Sequence, residues 1–297
     1  MPTDQPSAEE IIRCILPFSR YAQHLLENEP GLRTELLQNL HKPFLRKEMQ
    51  AFLHVDATAA NDEAGLHSVL RRLRKRVILR LVARDLGGLT DLAEVMASMT
   101  ALAEVTIGFA LERHQTWLSN PERYGSPQSA DSGETQKMLV LGMGKLGGGE
   151  LNVSSDVDLI FIYPEDGETT GARPVSNHDF FSRLGRKLIA SLNDITADGY
   201  VFRVDMRLRP YGESGPLVMS FAMLEEYLVS QGREWERYAW IKGRLVAGPC
   251  EAELMKLVQP FVFRKYLDFG AYASMRSLHS QIRQEVRRRE MHHNIKL

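Results

Sequence analysis

Residues 140–163 read VLGMGKLGGGELNVSSDVDLIFIY. An apolar run leads into Gly142, Gly144 and Gly147 at G-x-G-x-x-G spacing, and a second apolar run follows Ser154-Ser155-Asp156-Val157-Asp158. A dinucleotide-binding turn with that glycine spacing needs a long helix straight after it. It also needs a strand about 20 residues on that carries an acidic ribose contact. Gly147 to Gly149 are consecutive, and glycines inside a helix cost roughly 1 kcal/mol each relative to alanine. The next apolar run begins too soon and carries its two aspartates at its very start. The stretch therefore predicts a short glycine-rich turn between two buried strands, not a dinucleotide cradle.

The start of the second run carries the chemistry. On a strand, residues i and i+2 share a face about 6–7 Å apart, so Asp156 and Asp158 are expected to project side by side. Beyond them Ile160 and Ile162 fall on one face, and Leu159, Phe161 and Tyr163 on the other. A strand that is apolar on both faces is buried, and here only its tip is polar. Two close carboxylates repel each other. A hard divalent cation, Mg2+ or Mn2+, relieves that repulsion and keeps coordination positions for phosphate. The competing reading is a loop with solvated charges. A third strand is expected over Tyr200–Leu208. In VFRVDMRLRP, Phe202, Val204, Met206 and Leu208 alternate with Arg203, Asp205, Arg207 and Arg209. Asp205 can complete a carboxylate triad there, and Arg207 and Arg209 can grip phosphate oxygens. The alternative is an exposed edge strand laced with ion pairs.

The 297 residues are 43% hydrophobic and 25% charged, enough for a sizeable core. With 37 basic and 38 acidic residues the formal net charge is −1, which argues against a nucleic-acid-binding chain. The basic stretches RRLRKRV (71–77) and SQIRQEVRRRE (280–290) are expected to be solvated helix faces or docking surfaces. Cys14 and Cys250 give neither a disulfide framework nor a metal motif, as in a reduced, cytoplasmic protein. No uninterrupted apolar run approaches ~18 residues and the polar N-terminus is not a signal peptide, so no membrane partner is expected. Residues 1–118 have helical periodicity. Residues 119–136 form a polar loop or boundary, 137–216 a small α/β core, and 217–297 a second helical region. Trp235, Tyr238 and Trp240 are expected to pack in the interior, and His292-His293 lack further ligands for a metal.

Gly144-Lys145 followed by Asp156-Val157-Asp158-Leu159 resembles the signature of the polymerase-β-like nucleotidyltransferases, with Lys145 where that superfamily usually has serine. LGMGKLGGGELNVSSDVDLIF, YVFRVDMRLRPYGESGPLV, QGREWERYAWIKGRLVAG and PFVFRKYLDF resemble the glutamine synthetase adenylyltransferase family. The resemblance implies an α+β fold: a nucleotidyltransferase core, with a small mixed or antiparallel sheet and helices, flanked by N- and C-terminal helical blocks. Family members are bifunctional, magnesium- and ATP-dependent enzymes of nitrogen metabolism. They carry an adenylyl-removing N-terminal domain and an adenylylating C-terminal one. The motif's distance from Met1 and the wording ELNVSSDVDLIF resemble the N-terminal half, so the chain is expected to be part of a longer enzyme.

The implied reaction is phosphorolysis of AMP from a tyrosine of adenylylated glutamine synthetase, with phosphate as substrate and ADP as product. The alternatives are ATP-dependent adenylylation of the same tyrosine, or a catalytically silent partner-binding domain. Asp156, Asp158 and Asp205 are then the catalytic and metal residues, holding two ions about 3.5–4 Å apart. Gly144, Lys145, Gly147, Ser155, Arg207 and Arg209 are the nucleotide- and phosphate-binding candidates. The signalling protein PII is a further partner that the resemblance suggests.

Overall fold

The computed structural model describes residues 7–56, 61–263, 276, 277 and 279–284. The first half is helical: α1 (Ala8–Ile15), α2 (Arg20–Asn28), α3 (Pro30–Asn39), α4 (Arg46–Val55), α5 (Glu63–Leu86) and α6 (Leu92–Leu118). The two long helices start at aspartate caps. Asp62 accepts from the Gly65 amide at 2.7 Å, and Asp91 from the Glu94 amide at 2.9 Å. α1 to α3 bury Ile12, Leu25, Leu32 and Leu36 against Leu79 and Ala83 of α5.

The second half builds the sheet. In chain order it runs β1 (Leu139–Met143), α7 (Gly144–Gly147), β2 (Val157–Tyr163), α8 (Asn177–Asn193), β3 (Val204–Asp205) and β4 (Val218–Ser220). Then come α9 (Phe221–Ser230), α10 (Glu234–Trp240), β5 (Arg244–Ala247) and α11 (Glu251–Val262). The sheet order is β3-β2-β1-β5, with β4 also on β2. β1 is antiparallel to β2 and β5, whereas β3 and β4 run parallel to β2. This is the small mixed sheet of the expected α+β fold. The antiparallel β1–β2 pair excludes a βαβ dinucleotide unit.

The period-two alternation of β2 divides the interior. Val157, Leu159, Phe161 and Tyr163 join a core shared with α5, α6 and α8, so the N-terminal helices and the sheet have one continuous interior. Ile160 and Ile162 pack with Leu224 of α9, Trp240 of α10 and Leu254 of α11 on the other face. α6 is long and apolar enough to cross a membrane by length and composition. Here it serves as a core helix, packed on α4, α5, α8 and β5.

Several expectations are corrected. The third strand is only Val204–Asp205. The chain turns away at once, with the Arg209 amide bonded to the Met206 carbonyl at 3.2 Å. The region after Pro216 is not wholly helical. β4 and β5 both lie in it, because Gly243 ends the helical stretch of WIKGRLVA and Arg244–Ala247 pair with the free edge of β1. The cations of 71–77 are largely paired within the chain: Arg72 with Asp56, Arg76 with Glu35, and Lys75 with both Glu29 and Asp198. Trp240 is buried, but Trp235 and Tyr238 stand partly exposed on α10. Of the basic 280–290 stretch only 280–284 are described, as helix. His292-His293 and most of PFVFRKYLDF lie outside the described residues.

Arg71 joins the two halves. It is fully buried in α5, and its guanidinium donates to the carbonyls of Gly199 (2.7 Å), His67 (3.0 Å), Ser191 (3.1 Å) and Asp194. Three of those carbonyls lie at the end of α8 or in the loop leading to β3. Arg71→Met leaves them without that donor and should cost about 3 kcal/mol or more in urea unfolding. His114 of α6 is buried, with Nε2 2.7 Å from Ser191 Oγ, and burial pushes its pKa down to about 4. The unfolded chain then binds the extra proton first. Stability should fall as pH drops from about 6.5 to about 4, by about 3 kcal/mol at the acid end. His114→Gln should flatten that slope in unfolding curves taken across the range.

Candidate active site

The site forms where β1, β2 and β3 end together. Met143, the last residue of β1, lies opposite Asp158 of β2. The chain then reverses at Gly144, whose φ of 54° is left-handed. A Cβ at Gly144 would sit 2.8 Å from Asp158 Oδ2, so glycine lets the turn press against that carboxylate. The turn closes as the single-turn helix α7, with the Gly148 amide on Gly144 O at 3.1 Å and the Glu150 amide on Lys145 O at 2.8 Å. Gly147 is fixed by crowding, since a Cβ there would lie 1.9 Å from Lys242 O and 2.5 Å from Gly142 O.

On the other side of β2, parallel pairing sets Val204 beside Val157 and Asp205 beside Asp158. Matched residues on neighbouring strands share a face at the strand spacing of about 4.8 Å. Asp158 and Asp205 are therefore adjacent carboxylate carriers, with Gly144 against the first. β3 is held in place by the Val204 amide, which donates to Asn193 Oδ1 at 3.2 Å, and by the Val157 amide, which donates to Arg203 O at 2.9 Å.

The remaining predicted residues are less convergent. Asp156 precedes β2 and is half exposed, and its Oδ1 accepts from Arg203 Nε at 2.5 Å. Among the described residues no three His, Cys, Asp or Glu side chains gather as a metal-ligand cluster. The expected triad is thus a neighbouring pair, Asp158 and Asp205, with Asp156 turned to an arginine. Arg207 is largely exposed and forks onto Asp205, with Nε 2.9 Å and Nη2 2.5 Å from Oδ2. That hydrogen-bonded contact with Asp205 raises the Arg207 pKa.

Arg209, expected beside Arg207, instead holds its own loop. Its Nη1 donates to Met206 O at 2.8 Å and its Nη2 to Glu213 O at 3.0 Å. The hydroxyl of Ser155 donates to Asn152 Oδ1 at 2.8 Å within the turn before β2. Lys145 is half-buried in α7.

Sequence reasoning read Arg203 only as one of three phosphate-facing arginines on that strand, not as the partner of Asp156, and gave no role to Asn193 or Arg244. The first was visible on the polar face of 203–209. The other two act through contacts between distant segments and left no local signal. Tyr211 was also passed over. It holds a left-handed φ of 62° in the loop after β3, and its ring is 4.5 Å from that of Tyr227. A non-glycine residue in that conformation is uncommon and often marks a functional loop.

A short glycine turn against one carboxylate, with a second carboxylate in register beside it on a small mixed sheet, defines a nucleotidyltransferase-type core. The model of the glutamate–ammonia ligase adenylyltransferase family matches residues 9–258, and the chain belongs to that family. It is 62% identical over its full length to a bifunctional glutamine synthetase adenylyltransferase/adenylyl-removing enzyme of Nitrosomonas eutropha, covering 32% of that protein. Proteins of the same name from Chromobacterium violaceum and Pseudomonas aeruginosa are 58% and 53% identical. The matches cover 94% and 88% of this chain, and 31% and 26% of those proteins. The chain thus spans about a third of the length of the curated relatives it matches.

The glycines of the turn should respond to alanine in a graded way. Gly149→Ala, at φ 71° with open space around it, should cost about 1 kcal/mol from the left-handed backbone alone. Gly147→Ala drives a methyl into backbone carbonyls and should cost about 3 kcal/mol or more. Gly144→Ala should fall between them and displace the Asp158 carboxylate. Urea unfolding of the three variants ranks them.

Proposed function

We propose that this chain is the adenylyl-removing unit of a glutamine synthetase adenylyltransferase, transferring the AMP group from a modified tyrosine to phosphate and so releasing ADP. The adenylyl-transfer class rests on family membership and on the Asp158–Asp205 pairing beside Gly144. The direction rests on the wording ELNVSSDVDLIF, which resembles the adenylyl-removing half of the family. Adenylylated glutamine synthetase is then the protein substrate, phosphate the nucleophile, ADP and the free tyrosine the products, and the cytoplasm the compartment.

The donor set suits hard divalent cations. Asp158 and Asp205 offer carboxylate oxygens side by side, and the missing side chain at Gly144 leaves room at Asp158 Oδ2. Asp156 would join them by leaving Arg203. Mg2+ or Mn2+ held there, as one ion or two, supplies charge neutralisation to the phosphates. The protein's own groups supply positioning. The Gly144–Gly147 turn brings backbone close to the phosphate ester, with Lys145 beside it. Arg207, anchored on Asp205 and largely exposed, offers its remaining N–H groups to phosphate oxygens. The attacking phosphate is already anionic and needs no general base. The departing phenol has an ordinary pKa near 10, so it leaves more readily than an alcohol. Catalysis in this reading is orientation plus electrostatics, as in phosphoryl transfer generally.

The deciding experiment incubates the chain with AMP-modified glutamine synthetase, Mg2+ and phosphate, and measures ADP. A parallel arm offers ATP and unmodified glutamine synthetase. ADP release in the first arm alone supports the proposal; labelling in the second arm alone reverses the direction. Asp158→Asn and Asp205→Asn should each lower turnover by about 10³-fold, and Arg207→Ala by about 10-fold, with circular dichroism unchanged. Full activity in a folded Asp158→Asn variant overturns the site.

A further inference from the structure

Glu104 is the feature that the proposed chemistry leaves unexplained. It lies in α6 at the wall of a cavity that Arg46, Gln50 and Val246 also line, with its side chain only 7% exposed. A carboxylate in such a place is retained only with paired charges. Its partners are Arg46 of α4 and Arg244 of β5, one on each carboxylate oxygen. Arg244 does more than neutralise it. Its Nε donates to Gly147 O at 3.1 Å and its Nη2 to Leu146 O at 3.2 Å. These are the last carbonyls of α7, the turn whose first residue presses on Asp158. Leu146 O also accepts from the Gly149 amide at 3.2 Å, so Arg244 is its second donor and adds a side-chain donor at Gly147 O, at a helix end where carbonyls lack intrahelical partners.

We propose that Glu104 and Arg244 are positioning residues that hold the glycine-rich turn in its working place, so that the N-terminal helical block sets the geometry of the active site. Glu104 orients the guanidinium of Arg244. The fork of that guanidinium then fixes the two carbonyls, and through them the backbone from Gly144 to Gly147. The same turn packs tightly at Gly147, where a Cβ would lie 1.9 Å from Lys242 O. Lysine could pair with Glu104 but cannot span a carboxylate and two carbonyls, because an ammonium lacks the planar fork. Arg46 pairs with the other oxygen of Glu104, so it serves as the internal control.

The inference rests on the reading of this turn as part of the active site, and its test has one arm that does not depend on turnover. In the full chain, Arg244→Lys, Glu104→Gln and Arg46→Ala are compared by hydrogen exchange of peptides covering 144–149, by thermal unfolding, and by phosphorolysis kinetics. Arg244→Lys keeps the buried charge paired and is the variant expected to fold in every case. It should speed exchange in 144–149 by about tenfold relative to the rest of the sheet, the loss expected for one or two charge-assisted hydrogen bonds. It should raise KM for phosphate or lower kcat by a similar factor, and Arg46→Ala should do neither. Unchanged exchange at 144–149 in folded Arg244→Lys overturns the proposal. So does a rise spread evenly over the molecule, which marks a purely structural ion pair. If the wild-type chain turns over neither substrate, the functional reading fails while the exchange arm still decides the coupling.

Discussion

The pairing of β3 with β2 is two residues long, and the candidate site depends on its register. Side chains alternate faces along a strand, so a slip of one residue would carry Asp205 to the opposite side of the sheet from Asp158. So short a ladder cannot hold its own register. It is held by its surroundings: the Asn193 side chain on the Val204 amide, the Arg203 carbonyl on the Val157 amide, and Arg71 on the carbonyls at the end of α8. The long helices thereby act on the chemistry. They fix the loop that delivers one carboxylate, and through Glu104 and Arg244 they bear on the turn that flanks the other.

What could be read from the sequence was local. The two faces of β2 were written in Leu159–Tyr163, because alternation over a buried strand depends only on the strand itself. The brevity of α7 followed from three adjacent glycines. The same local logic failed over 200–208, where alternation continued past Asp205 but Arg209 and the turn at Met206 took the backbone away from the sheet. It failed again at Arg244–Ala247, which becomes a strand because β1 has an open edge, a fact encoded about a hundred residues earlier. Asp156 was placed by spacing beside Asp158, yet its nearest partner is Arg203, a contact across strands that no single segment records.

Arginine is the recurrent linker of this fold. Arg71 and Arg244 each reach several backbone carbonyls with one planar fork, and Arg84 combines a carboxylate, Glu94, with the carbonyls of Leu40 and Leu89. Backbone carbonyls at helix ends and in loops would otherwise be buried without donors. Read along the chain, Arg71 belonged to a basic run that suggested a surface, whereas Arg84 and Arg244 stood outside any such run. Their work is largely internal, and the near-neutral net charge of the molecule fits that use.

β3 and β4 both lie along the same edge of β2, one after the other, and the chain leaves the sheet between them from Met206 to Leu217. The sheet thus tolerates an outward excursion without either pairing having to shift. Such an arrangement separates two kinds of heredity: the carboxylates are locked into the ladder, while the excursion that carries Arg207 and Tyr211 can be lengthened or rewritten. A lineage could therefore change what docks at the mouth of this site and leave the reacting groups where they stand.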